Sequence, residues 1–161
     1  MEVVSNSSPI IHLAKIGKLD LLNLLFETIK IPKAVYQECV IEGGSRPEVK
    51  VIKNARWIKV LEVDDTNLIK LLKTQIDEGE SEVIVLALEI GADLVLLDDY
   101  EVREKARLFG FKVTETIGVL LKAKKKGLIK SLKKEIENLQ SSGFWIRKDL
   151  IKEILRVAGE S

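Results

Sequence analysis

Few side chains in this 161-residue sequence can do chemistry, and most of those that can are acidic. His12 is the only histidine and Cys39 the only cysteine, which excludes an internal disulfide and a histidine or cysteine zinc cluster within one chain. A metal here must take oxygen ligands. Asn6 follows a short strand over residues 2–5, and Asp98-Asp99 follow the apolar run Leu94-Val95-Leu96-Leu97, so both polar turns leave the carboxyl ends of predicted parallel strands. Glu80 and Glu82 stand in the first turns of a predicted helix, and Glu38 shares a helical face with the inward-pointing Val35. Carboxylates converging on one sheet edge repel each other unless a divalent cation or a proton compensates, and an all-oxygen set suits Mg²⁺ or Mn²⁺. Each acid also has a structural alternative. Asp77 and Glu80 have the spacing of a capping box, Glu82 and Glu38 can be solvated surface acids, and either Asp98 or Asp99 can cap the next helix. A cap explains only one of two adjacent aspartates. His12 and Cys39 lie in apolar stretches that suit a core role, and Trp57 and Trp145 are expected to be packing anchors.

These residues depend on the elements that carry them. Asn6-Ser7-Ser8-Pro9 reads as a tight turn and a serine-capped helix start with proline in the first turn. Gly17 separates that helix from a second over residues 19–26, which has an apolar stripe at spacings of three and four. A strand over 28–31 and a helix opened by Pro32 follow, and then a loop at Gly43-Gly44-Ser45-Arg46-Pro47. Beyond it the pattern predicts a short helix through Val49 and Ile52, a strand over 57–63 and a helix over 66–76. The helix from Asp77 to Gly91 is apolar almost all round and should be buried on most sides. The run over 93–97 suits a parallel strand covered on both faces. A helix over 100–109, a strand over 111–113 and helices over 115–126, 131–140 and 148–157 complete the pattern. Strands alternating with helices predict an α/β fold, a three-layer α/β/α arrangement around a central parallel sheet. One domain over residues 1–161 is expected, with C-terminal helices at about 131–158 packed on it.

Between Lys122 and Arg156 eleven Lys or Arg face four acids, so a net +1 chain divides into a +7 C-terminal third and a −6 remainder. That suits a protein that gathers cations in one place and holds a polyanion in another, although lysines also simply solvate helix faces. The N-terminus has neither a basic start nor a long apolar run, and no stretch reaches the roughly 18 apolar residues of a membrane span. The expectation is a cytoplasmic protein with no membrane contact. The apolar segment at Leu19–Phe26 raises the expectation of a homodimer.

Four sequence blocks, Val3-Val4-Ser5-Asn6-Ser7-Ser8-Pro9-Ile10-Ile11, Ile31-Pro32-Lys33-Ala34-Val35-Tyr36-Gln37-Glu38, Glu78-Gly79-Glu80-Ser81-Glu82-Val83-Ile84-Val85-Leu86-Ala87 and Leu96-Leu97-Asp98-Asp99, occur in an order that resembles the PIN-like domains. The C-terminal pattern at 116–121 and 126–129 is similar to their prokaryotic branch of predicted nucleic-acid-binding proteins, and the likeness runs from about Val3 to Ala158. The resemblance implies an acidic cluster that binds Mg²⁺ or Mn²⁺ and hydrolyses single-stranded or structured RNA. Such proteins are often the toxin half of a toxin–antitoxin pair, which adds a small antitoxin protein as a partner. Carried over by position, Glu38, Glu80 and Asp99 match acidic sites, with Asp98 adjacent to the last. Asn6 falls where the family usually has its first aspartate. An amide oxygen can ligate a metal, but it brings no charge and cannot act as a base. The resulting expectation has Asn6, Glu38, Glu80 and Asp99 holding metal, Asp98 joining the catalytic acids, and Ser7, Lys122, Lys125 and Lys126 contacting RNA. Two rivals stand beside this endoribonuclease: a PIN-like module that binds nucleic acid or antitoxin without turnover, and a phosphotransfer domain using an aspartate at a strand end.

Overall fold

A computed structural model describes residues 1–161 and contains a five-stranded sheet in which every pairing is parallel. The strands are β1 (Val3–Ser5), β2 (Ile29–Pro32), β3 (Ile58–Leu61), β4 (Leu94–Leu96) and β5 (Lys112–Thr114), in spatial order β3-β2-β1-β4-β5. The central positions of β1 and β4 follow from composition. Val3, Val4, Val95 and Leu96 are buried on both faces, whereas edge strand β3 exposes Lys59 and Val60. From β1 the chain builds outward to β2 and β3, then crosses to β4 and β5 on the other side, so the switch point lies between β1 and β4. In open parallel sheets ligands collect outside the carboxyl ends of strands at such a point.

The helices are α1 (Ser7–Lys15), α2 (Asp20–Phe26), α3 (Lys33–Tyr36), α4 (Pro47–Asn54), α5 (Thr66–Leu72), α6 (Glu78–Ile90), α7 (Tyr100–Leu108), α8 (Thr116–Lys125), α9 (Leu132–Ser141) and α10 (Lys148–Val157). They give the expected three layers. Helix α6 is bounded by local chemistry. Asp77 accepts from the Glu80 amide at 2.8 Å, Glu80 accepts from the Asp77 amide at 3.0 Å, and Gly91 closes the helix at φ 66°. Between those caps Val83, Ile84, Val85, Leu86 and Ala87 are all buried. No helix is long and apolar enough to cross a membrane.

Several details differ from the sequence pattern. The first helix is capped by Asn6 rather than by a serine, and the Asn6 side chain makes no cap bond. Helix α5 stops at Leu72, after which the Thr74 hydroxyl donates to the Leu71 carbonyl at 2.7 Å and the chain turns. The helix opened by Pro32 continues as a π-helical turn over Gln37–Ile41. Leu19, Leu21, Leu22 and Phe26 are buried within a single chain and only Leu24 stays 63% exposed, so the apolar content of this segment does not call for a second copy. Trp57 packs against the core as expected, but Trp145 is 80% exposed and anchors nothing. The two C-terminal helices are fastened by Glu160. Its carboxylate accepts from the Leu132 amide at 2.7 Å and the Lys133 amide at 3.2 Å, at the start of α9, and pairs with Lys124 at 3.2 Å.

Candidate functional site

Strand register fixes which turns can meet. Ser5 pairs with Leu96, and Leu96 with Thr114, so the turns after β1, β4 and β5 emerge side by side. The Asn6 amide donates to the Leu96 carbonyl at 3.0 Å and ties the first two together. The Asn6 residue is only 8% exposed, and its Oδ1 is buried without a hydrogen-bond partner. A buried acceptor with no donor is costly, and a cation is one way to satisfy it.

Glu38 reaches this edge from the π turn, a helix irregularity that occurs frequently at functional sites. The Ser7 hydroxyl donates to Glu38 Oε2 at 3.0 Å, while a Cβ on Gly79 would lie 2.0 Å from Glu38 Oε1. Glycine at 79 is therefore what lets the first turn of α6 approach the carboxylate. On that turn Glu80 uses Oε1 for the capping box. Asp99 caps α7, with Oδ1 accepting from the Val102 amide at 3.0 Å. Glu38, Glu80 and Asp99 thus share one pattern, in which one carboxylate oxygen is hydrogen-bonded and the other is not.

Asp98 is different. Its Oδ1 accepts from the Thr116 amide at 2.8 Å, and its Oδ2 accepts from the Thr116 hydroxyl at 2.8 Å and the Ser8 hydroxyl at 2.5 Å. Both aspartates of the pair consequently have structural partners, and only Asp99 retains an oxygen to offer.

The electrostatics follow from an excess of acid. Burial pushes the Glu38 carboxyl above its ordinary value against the opposing Ser7 hydrogen bond, and the charges of Asp77, Glu42 and Glu78 push the same way. Burial likewise raises Glu80, with the charges of Asp77 and Asp99 adding to it. Beside Glu38 a cleft of about 470 Å³ is lined by Glu42, Asp77, Glu78 and Glu82, and its one cation, Lys33, pairs with Glu62 at 2.5 Å. Glu82 accepts from the Ala34 amide at 3.2 Å. The donor types suit a hard divalent cation, but no three of these side chains gather closely enough to hold one in this conformation.

The chain matches the DUF3368 family, described as a PIN domain, over residues 2–160. It belongs to the PIN-domain family. No curated protein matches it. Membership points to nuclease-type function, to nucleic acid as partner and to divalent metal as the usual cofactor class.

Within this PIN domain the expected RNA-contacting residues separate. Ser7 lies at the acidic edge, but α8 leaves that edge at Thr116 and runs back along the sheet, so Lys125 is about 14 Å further along its axis. The Lys122 ammonium lies 5.1 Å from the centre of the Phe26 ring, near the amino end of β2. Lys125 and Lys126 are exposed at the same far end. His12 packs edge-on against Phe144 at 4.7 Å, and burial lowers its pKa against the opposing charge of Asp98. Cys39 is buried and its thiol is pushed up to about 12, which makes it unreactive.

Ser8 and Thr116, which lie within the sequence blocks, and Arg103 and Glu115, which lie outside them, complete the edge. Ser8 and Thr116 hold Asp98, while Arg103 donates to the Asp98 carbonyl and lies 3.7 Å from Glu115. The polar turn Thr114-Glu115-Thr116 at the end of β5 was the available signal, because it had to emerge beside the other two.

Proposed function

We propose that this PIN domain is a metal-dependent endoribonuclease whose acidic edge uses the unbonded oxygens of Glu38, Glu80 and Asp99, with the orphaned Asn6 Oδ1, to hold Mg²⁺ or Mn²⁺. The observation that carries this reading is the contrast among the acids: three carboxylates each keep one unbonded oxygen at the switch point, while both oxygens of Asp98 are hydrogen-bonded. A bound divalent ion supplies Lewis-acid polarisation of the phosphate and neutralises developing charge. Ser7 fixes the orientation of Glu38 by donating to Oε2. Burial and neighbouring acids raise Glu38 and Glu80 from their ordinary values, so the charged form of each is disfavoured until a cation offsets it. Asp98, held by three donors, positions the turn that presents Asp99.

Purified protein stripped with chelator and titrated with Mn²⁺ against labelled RNA tests this directly. Wild type is expected to cleave only with metal, Asp99→Ala to be inactive, and Asn6→Asp to cleave faster because it restores a negative ligand. An Asp99→Ala protein that cuts as well as wild type, together with no gain from Asn6→Asp, overturns the proposal. The rival binding module draws on two observations: Asn6 contributes no charge, and no three acids are gathered around one point. RNA binding without turnover and no metal site in the millimolar range would establish it instead. A toxin role predicts a small antitoxin that co-purifies with the protein, encoded by a neighbouring gene for a DNA-binding protein. Homodimerisation is read by sedimentation.

A further inference from the structure

On the far side of Asp98 from the acidic cleft lies a second depression of about 530 Å³. Its floor is apolar, with the buried Ile117, Ile146 and Ile154, and two aromatic side chains at its rim are largely in solvent: Trp145 at 80% and Tyr100 at 66% exposure. Exposed aromatics beside an apolar floor are expensive to leave in water. The charges at this place are arranged unevenly. Asp98 and Glu115 are already engaged, by Ser8 and Thr116 in one case and by proximity to Arg103 in the other. Arg147, at the mouth, has only the exposed Asp149 at 3.6 Å, a weak surface pair. The lining balances two arginines, Arg103 and Arg147, against Asp98 and Glu115, and the exposed Arg147 is the cation most open to an incoming ligand, next to flat apolar faces. A nucleotide has that character, with a planar ring that stacks and a phosphate that pairs. Position supports the same occupant, because the depression begins at Asp98, one residue from Asp99.

We propose that this depression is a stacking subsite for an unpaired nucleobase of single-stranded RNA, with Trp145 and Tyr100 as stacking faces and Arg147 as the contact to the adjoining phosphate. It rests on reading the acidic edge as a phosphodiester site and narrows the substrate to a strand that can release a base. Duplex RNA, with its bases paired and stacked, cannot fill it.

The test uses the full chain in chelator, so that RNA is bound and not cut, with a short single-stranded oligonucleotide and the same sequence as a duplex. Tryptophan emission reports the event. Quenching by the single strand is expected in wild type, and its loss in Trp145→Phe shows that the signal is not from Trp57. Affinity should fall about tenfold in Trp145→Ala, remain within about threefold in Trp145→Phe, and drop for the duplex. Equal binding by Trp145→Ala, equal binding of duplex, or no binding of RNA overturns the proposal. So does a concentration-dependent dimer that buries Trp145 without RNA, which would make the occupant a second copy. The two readings fail separately. Quenching without metal-dependent cleavage removes the nuclease and leaves the subsite, whereas cleavage that depends on Asp99 but is indifferent to Trp145 does the reverse.

Discussion

Asp98 and Asp99 are neighbours in sequence and leave the same strand end, yet the fold treats them oppositely. Asp98 is closed in by Thr116 from the β5 turn and Ser8 from α1, so its carboxylate holds three segments together with both oxygens engaged. Asp99 makes a single cap bond within its own helix, and Glu38 and Glu80 are engaged in the same partial way. An acid with both oxygens hydrogen-bonded acts as a structural joint, while one with a single bonded oxygen remains available to a ligand. Type and proximity in sequence do not separate the two roles.

The strongest challenge to this division is Asp98→Ala, which leaves the Thr116 amide, the Thr116 hydroxyl and the Ser8 hydroxyl without their acceptor. A loss of about 2–4 kcal/mol is expected, seen as a fall in Tm of about 5–15 °C by circular dichroism. A melt within about 2 °C of wild type would make Asp98 as expendable as a surface acid. On the other side, Glu38→Gln and Asp99→Asn should reduce Mn²⁺-dependent RNA cleavage at least about 100-fold. Their Tm should change by no more than about 3 °C, because each loses at most part of one hydrogen bond or cap. An unstable but active Asp99→Asn would invert the comparison.

Gly79→Ala sharpens it further. The new methyl would lie 2.0 Å from Glu38 Oε1, so the carboxylate must move. Cleavage should fall about tenfold through misplacement, while folding changes little because alanine is favoured over glycine inside a helix by about 1 kcal/mol. The smallest effect is in the pH dependence of metal-free stability. The raised Glu38 carboxyl binds its proton more tightly folded than unfolded. Its contribution is complete below the ordinary glutamate pKa and is lost as pH climbs through the raised value. In chelator, wild type should lose Tm relative to Glu38→Gln as pH rises above the ordinary glutamate value of about 4, and added Mg²⁺ should reduce the difference. A parallel pair of curves would mean that Glu38 is no more protonated in the folded protein.

The sequence made the layers legible because the determinants are local. Strand-length apolar runs, the Asp77–Glu80 capping box and Gly91 each act within a few residues, and all appear where expected. The division between Asp98 and Asp99 was not legible, since it depends on Thr116, eighteen residues away, and Ser8, ninety residues away. The course of α8 was hidden for a related reason: composition shows that a segment is basic but not which way its helix runs from the sheet, so the distance of its lysines from the acidic edge could not be read in advance. Trp145 illustrates periodicity. It stands between Phe144 and Ile146, which turn inward in an extended stretch, so the residue between them faces out.

The Glu160 carboxylate has a practical consequence for handling the protein. By gripping the start of α9 from beyond the end of α10, it closes a clasp around the segment that carries Trp145. Clipping or crowding that tail would let the two helices swing apart and slacken the aromatic rim, so affinity tags and surface tethers belong at the opposite terminus.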